Sequence, residues 1–478
     1  MAQDYDVIVI GSGPAGREVA SRSAKNGFSV ALVESELIGG ECHYWSCTPS
    51  KALLRPPEAI NEALHVDGAR QAVRGKLDVQ AVLSRRDEYV DNWDDSRIKG
   101  IYEKKGNAIF RGVGRLGGAR RVSVEGAGGS KIELAALQAV VICTGSRAHI
   151  PDIPGLAECK PWTNREATSA KRAPRRLVIL GGGAVACEMA VAWSALGTEE
   201  LTVVERSERL LNKYEPFAGK IMSGTFEARG ISVRTTATVK LVERSNDGAL
   251  RIALGDGSTL VADQILVAMG RKPNTDDAGL ETVGISPGSW LQVDENCLVK
   301  GVSGHWLYAA GDVNNMALLT HMGKYQARAC VAVIKEFAHG TASVEKVRQP
   351  WSAWTTTANV SAVPQVLFTD PQVAAVGLTQ AKAKSLGLNV RAVDFEIGET
   401  DGAMHHADDY KGQARIVVDE NRHVVIGATF VGPEVAELLH AATIAIVGEV
   451  PLERLWHAVP SFPTMSEIWL YLLKEYGL

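Results

Sequence analysis

A chain of 478 residues with 46% hydrophobic and 22% charged side chains has the balance of a globular protein with room for about three ordinary domains. Its formal charge of −4, with lysines and arginines dispersed, offers no basic footprint for nucleic acid, and no apolar run approaches the ~18 residues of a membrane-spanning helix. The start, Met1-Ala2-Gln3, lacks the basic opening of a secretory signal, so the expected compartment is the cytoplasm, where a close cysteine pair points to catalysis rather than a structural bridge.

In chain order, Asp6 to Ile10 reads as a strand, followed by the turn Gly11-Ser12-Gly13-Pro14-Ala15-Gly16, a helix over Arg17 to Lys25, a strand at Val30 to Val33, and Glu34. Glycines permit a tight turn and close backbone approach, a helix N-terminus faces a diphosphate, and a terminal carboxylate accepts from ribose hydroxyls. Next comes Gly39-Gly40-Glu41-Cys42-His43-Tyr44-Trp45-Ser46-Cys47-Thr48-Pro49-Ser50-Lys51. Its C-x4-C spacing suits a reducible ring or two packed thiols better than a zinc site, for which no second pair exists. Cys143, Cys159, Cys187, Cys297 and Cys330 stand singly, mostly in apolar runs, as small packed hydrophobes.

Arg121 to Leu134 reads as a hairpin around Gly126-Ala127-Gly128-Gly129, and the apolar strand at Val140 to Cys143 ends at Thr144-Gly145. Arg176 to Glu205 then repeats the opening order, with the turn Gly181-Gly182-Gly183-Ala184-Val185-Ala186, a second strand at Leu201 to Val204, and Glu205 as its acid. One glycine turn is weak evidence, but two in matching context predict two dinucleotide sites. Further strands end at Met269-Gly270, with a turn before them at Asp256-Gly257, and at Ala309-Ala310-Gly311-Asp312; each end is a cofactor floor or an ordinary strand-to-loop glycine. From about Pro350 the pattern changes to strands at Gln365 to Phe368, Ala414 to Val418 and Val424 to Phe430 with helices between, which predicts an antiparallel sheet backed by helices.

These motifs, taken with Gly270-Arg271-Lys272-Pro273-Asn274 and Phe368-Thr369-Asp370-Pro371, resemble the flavin-dependent pyridine nucleotide-disulfide oxidoreductases, among them dihydrolipoamide dehydrogenase, glutathione reductase and mercuric reductase. The resemblance runs nearly the whole chain. It implies an α/β fold with two Rossmann-like dinucleotide-binding domains and a C-terminal α+β dimerisation domain. The expected limits are 1–155 with 285–348 for FAD, 156–284 for NADH or NADPH, and 349–478 for the interface of a homodimer.

Position by position, the resemblance assigns Gly11, Gly13, Pro14, Ala15, Gly16, Glu34, Ser35, Gly40, Glu41, Ala108, Thr144, Gly145, Arg271, Asp312, Leu319 and Thr320 to the FAD site. Gly181, Gly183, Ala186, Glu205 and Gly270 fall to the nicotinamide nucleotide. Lys51 and Glu188 match an ion pair beside the reactive edge of the flavin, where a cation offsets the negative charge that a hydride brings. Cys47 then faces the flavin and Cys42 attacks the acceptor. Glu205 favours NADH, yet Arg206 and Arg209 follow within reach of a 2′-phosphate and Ala186 stands where a third glycine often marks NADH.

One departure stands out. The family's acid/base histidine precedes the Pro-Thr of a His-Pro-Thr-x-x-Glu run, but here the run is Ser461-Phe462-Pro463-Thr464-Met465-Ser466-Glu467, so Glu467 remains and Phe462 replaces the histidine. A positioned general acid is worth about 100- to 10,000-fold. His43 or His457 could supply the proton, or the acceptor needs none, as with a quinone, a metal ion, oxygen or a disulfide with an acidic leaving thiol. Tyr44, Trp45, Trp456, Phe462 and Trp469 would line a pocket for a planar acceptor or pack at the dimer interface. Mercuric reductase also lacks this histidine but uses further cysteines near its C-terminus, and the run Leu470 to Leu478 has none. Two rival functions remain: an NAD(P)H reductase of quinones, oxygen or metal ions using flavin alone, and an impaired flavoprotein acting as a binding or sensing partner.

Overall fold

A computed structural model describes residues 2–341 and 343–478, which divide into two compact units. The first comprises Met1–Thr48, Asp87–Ala148 and Gly270–Val360; the second comprises Pro49–Arg86, His149–Met269 and Ser361–Leu478.

The first unit is built on a seven-stranded sheet. Strand β1 (Gln3–Ile10) pairs in parallel with β2 (Val30–Glu34) on one side and with Lys131–Ile142 on the other. Asn107–Arg111 extends the parallel part beyond β2, and Leu307–Ala309 runs parallel to Lys131–Ile142. Strands this apolar and this buried belong to a sheet covered on both faces. The expected hairpin forms between Arg121–Glu125 and Lys131–Ile142.

Helix α1 (Pro14–Lys25) leaves the glycine turn with its proline in the first helical turn, where a missing N–H costs nothing. It packs against the 19-residue helix Thr320–Ala338, and Val19, Ala20, Ala327, Cys330 and Val331 share one core beneath the sheet. Gly11 (φ +99°) and Gly16 are required sterically, because a Cβ on Gly11 would strike the Cys143 carbonyl and one on Gly16 would strike the Gly11 carbonyl.

The second unit repeats the pattern in a four-stranded parallel sheet ordered Ser232–Arg234, Glu200–Val204, Arg176–Leu180, Gln264–Val267. The helix Ala184–Ala195 is mostly apolar and buried from Ala186 to Trp193, with Cys187 and Trp193 inaccessible to solvent. The C-terminal part is a five-stranded antiparallel sheet, Gln365–Leu367, Gln372–Gly377, Val424–Gly432, Gln413–Asp419, Val390–Glu396, with helices packed against it. All five single cysteines are buried as small hydrophobes, and burial pushes the Cys143 thiol up to about 12.

Candidate active site

The first glycine turn is locked by its acid. Glu34 Oε2 accepts from the Ser12 amide (2.8 Å) and hydroxyl (2.6 Å), while Oε1 accepts from the Glu36 amide (2.8 Å). Beside it Gly40, at φ +64°, brings its backbone against Gly13. A Cβ at Gly13 or Gly145 would project into open space, so backbone N–H groups line a trough rather than a packed core. Thr144 Oγ1 and Arg17 Nε are buried beside this trough without partners among the described residues.

On the same unit, Arg271 donates to the Ser146 hydroxyl and carbonyl (2.6 Å each), and Ser146 donates to Asp312 Oδ2 (2.7 Å). Arg271 is also 3.9 Å from both Glu41 and Asp312. Burial raises the Asp312 carboxyl, against the pull of Ser146 and Arg271. Ala108 pairs with Ala31 on the neighbouring strand, Ser35 is exposed, and Pro14 and Ala15 open α1. A glycine turn closed by a carboxylate, an open trough at a helix N-terminus and orphaned donors form a set that fits the diphosphate of a dinucleotide such as FAD.

Cys42 lies on the short helix α2 (Gly40–Tyr44), and Cys47 opens α3 (Cys47–Leu64). Neither is in a disulfide bond. Thr320, the first residue of the helix Thr320–Ala338 after its cap Leu319, donates its hydroxyl to Cys42 Sγ at 2.9 Å and sits 3.4 Å from Cys47 Sγ. Hydrogen bonding to Cys47, with burial second, pushes the Cys42 thiol far above its ordinary range; Thr320 and Arg17 pull the other way. A helix N-terminus favours negative charge, so two sulfurs sharing this hydroxyl can hold one proton and one thiolate between them.

His43 Nε2 is 3.0 Å from Asp91 Oδ2, and Arg97 grips both oxygens of that carboxylate (2.8 and 2.7 Å). Burial lowers the His43 imidazole from its usual value, partly opposed by Asp91.

In the second unit, Lys51 lies one helical turn after Cys47 on α3. Its Nζ donates to both oxygens of Glu188 (3.0 and 2.9 Å) and stands 4.9 Å over the Phe368 ring. The Phe368 amide donates to Glu188 Oε1 (2.9 Å). The second glycine turn mirrors the first: Glu205 Oε2 accepts from Gly182 N (2.5 Å) and Oε1 from Ser207 N (2.7 Å). Gly183 and Gly270 are open to a ligand, whereas Ala186 is fully buried against the sheet.

The two arginines after Glu205 separate. Arg206 is exposed. Arg209 is tied to the carbonyls of Leu211 (2.9 Å), Asn212 (3.0 Å) and Tyr214 (2.9 Å).

The C-terminal run divides differently from expectation. Phe462 is 73% exposed and Val459 83%, and His457 is exposed. Glu467 is buried and accepts from the amides of Thr464 (3.2 Å) and Gly402 (3.1 Å). The expected aromatic pocket is corrected for two members. Tyr44 is inaccessible, packed with Ile38, Val90 and Ile98, and Trp469 is 7% exposed against Phe430. Nothing local marks Tyr44, the one buried residue of the short helix α2, as a core residue. Thr320, expected at the flavin, and Arg209, expected near a 2′-phosphate, carry different contacts here, and the Asp91 carboxylate was missed with no local signal to find it.

Residues 5–332 match the family model for the pyridine nucleotide-disulphide oxidoreductases, and residues 363–472 match that for their dimerisation domain. The chain is 29% identical to mercuric reductase of Staphylococcus aureus over 97% of its length and 81% of the relative's. It is 29% identical to dihydrolipoyl dehydrogenase of Chlamydia muridarum over 98% and 96%. Among solved structures it resembles the HOCl-induced flavoprotein disulfide reductase RclA of Escherichia coli as its Cu(II) complex (TM-score 0.81, 20% identity, 99% of each chain). LpdA of Mycobacterium tuberculosis has the same fold (TM-score 0.82, 22% identity, 100% of each chain).

Proposed function

Since the chain belongs to the pyridine nucleotide-disulphide oxidoreductase family, an enzyme family of flavoproteins, we propose that it passes an electron pair from NAD(P)H, by way of FAD, into the Cys42–Cys47 couple and on to a small-molecule acceptor. The observation that carries this reading is Thr320, whose hydroxyl joins both sulfurs at the N-terminus of a long helix. When bound, FAD would supply the two-electron carrier between the nicotinamide and the disulfide. The chain's own residues hold and tune the reactants. Gly11, Gly13, Gly16 and Arg17 cradle a diphosphate, Glu34 takes a ribose, and Lys51, fixed by Glu188, supplies the cation that offsets arriving charge. With FAD bound, Cys47 would be the thiolate that faces it and Cys42 the thiol that attacks the acceptor.

NADH is the favoured donor. Glu205 is held by two amides where it accepts from a ribose and repels a 2′-phosphate, and the anchoring of Arg209 leaves Arg206 alone to compensate. The domain limits are those of the sequence, with self-association through 349–478, in the cytoplasm. No helix of the described residues is long and apolar enough to cross a membrane. Phe462 carries no proton, which confines acceptors to quinones, metal ions, oxygen or disulfides with acidic leaving thiols unless another group supplies it.

An anaerobic titration with NADH, and separately NADPH, tests the reading. A long-wavelength band between a thiolate and oxidised flavin, appearing after two electrons, supports it. Simple bleaching of the flavin overturns it in favour of flavin-only chemistry. A NADPH preference would overturn the assignment of Glu205 alone.

A further inference from the structure

Gln326 stands on the buried face of the helix Thr320–Ala338, among Met322, Ala327, Ala329 and Cys330, and is inaccessible to solvent. Burying an amide is costly unless its hydrogen bonds are made. Here they are made. Oε1 accepts from the Gly311 amide (2.8 Å) and from Asn314 Nδ2 (2.8 Å), and Nε2 donates to Asn359 Oδ1 (3.5 Å). Asn359 Nδ2 donates to Met316 Sδ (3.6 Å), and the Met316 amide donates to Asn314 Oδ1 (3.1 Å), so the contacts close on themselves through Met316. Asn314 Nδ2 also reaches the Ala309 carbonyl (3.1 Å).

What this network holds is the turn Gly311 to Asn314 that follows the strand Leu307–Ala309. Gly311 takes φ +88°, and a Cβ added there would lie 3.0 Å from the Ala15 Cβ, so the turn packs on the first turn of α1, beside the glycine trough. At this point the Gly311 amide is buried and needs an acceptor, which the facing helix supplies as a side chain. Asp312 lies between the two residues that Gln326 grips. Its Oδ2 accepts from Ser146 (2.7 Å), and its Oδ1 has no partner among the described residues. With the backbone fixed on both sides and one oxygen engaged, the second oxygen is an oriented, open acceptor.

We propose that Gln326 is a positioning residue of the FAD site, which clamps Gly311 and Asn314 and thereby aims Asp312 Oδ1 at a hydroxyl of the polyol chain between the diphosphate and the flavin ring. The inference rests on the reading of Asp312 as an FAD ligand. An apolar side chain at 326 would fill the helix face equally well, but it would leave the Gly311 amide unpaired and the turn free to rotate Asp312 away. Gln326 itself touches no ligand in this arrangement. It acts through the turn.

A ligand that lacks the polyol separates this role from a general one. ADP carries the ribose and diphosphate of FAD without that chain, so a displaced Asp312 weakens FAD alone, whereas a loosened fold weakens both. The test is equilibrium displacement of FAD by ADP from the purified full-length holoenzyme, with released flavin read by its fluorescence after ultrafiltration. Its midpoint reports the ratio of the two affinities at this one site and is independent of turnover. Gln326→Met, close in length but without the amide oxygen, should lower the ADP midpoint about ten-fold, the worth of one buried hydrogen bond. Asp312→Ala should lower it at least as far, and adding Gln326→Met to Asp312→Ala should lower it no further.

A lowered midpoint in Asp312→Ala with an unchanged one in folded Gln326→Met overturns the proposal and leaves the reading of Asp312 standing. Full additivity of the two changes also overturns it, since Gln326 would then act by another route. An unchanged midpoint in Asp312→Ala sinks the reading of Asp312, and the proposal with it. Should Gln326→Met fail to fold, Asn314→Ala, which cuts the same clamp from the side of the turn, decides by the same measurement.

Discussion

Arg209 shows why adjacent residues with one formal charge do different work. Its guanidinium is spent on the carbonyls of Leu211, Asn212 and Tyr214, which close the loop leading into the helix Pro216–Ala228. Hydrogen bonds from a charged donor are worth roughly 1.5–3 kcal/mol each and do not sum. Arg209→Ala should therefore destabilise the protein by about 2 kcal/mol, visible as a lower melting temperature, and leave the ratio of NADH to NADPH affinity unchanged. Glu205→Ser should shift relative affinity about ten-fold toward NADPH, or about 1.4 kcal/mol, and also lower the melting temperature, because it leaves the Gly182 and Ser207 amides without their acceptor. Calorimetric titration with ADP-ribose and its 2′-phosphate reads both. If Arg209→Ala selectively weakened the 2′-phosphate ligand, the arginine would be a phosphate ligand after all.

The helix Thr320–Ala338 has no side-chain cap of its own, and its first hydroxyl is turned to the two sulfurs. Thr320→Val keeps shape and β-branching while removing that donor. Alkylation of Cys42 in the reduced enzyme should slow by about ten-fold, the worth of one hydrogen bond to a developing thiolate, with the secondary structure intact. An unchanged rate would mean that the hydroxyl only packs. This element also marks where the sequence stops being readable. The two strand–turn–helix–strand units were legible because glycine sterics, periodicity and a closing acid all act within about 30 residues, and the C-terminal sheet was legible from alternation. Thr320 meets Cys42 across 278 residues, and Asp91 meets His43 across 48, with nothing local to announce either pairing. Arg209 failed for the opposite reason, since its partners are backbone carbonyls that no side-chain pattern reveals. Tyr44 is buried because α2 is so short that one of its few faces must enter the core.

At the scale of the molecule, Val459 and Phe462 leave an apolar run in solvent within a segment that matches the family's dimerisation domain. Full burial of one such side chain is worth about 1.5–3 kcal/mol, and a second copy of the chain is the partner that this domain implies. Phe462→Asp should move the protein from dimer to monomer in sedimentation at micromolar concentration; a dimer of unchanged affinity would remove this run from the interface. The same position then tests the missing proton. In a dimer whose second copy turns this run toward Cys42, Phe462→His installs a general acid of the family's usual kind. If the run supplies the acid at the place the family gives it, that histidine should raise turnover of an alkyl disulfide by about 100-fold or more. An unchanged turnover in folded Phe462→His would mean that the acceptor needs no proton from this position, as with a quinone, a metal ion, oxygen or a disulfide whose leaving thiol is already acidic.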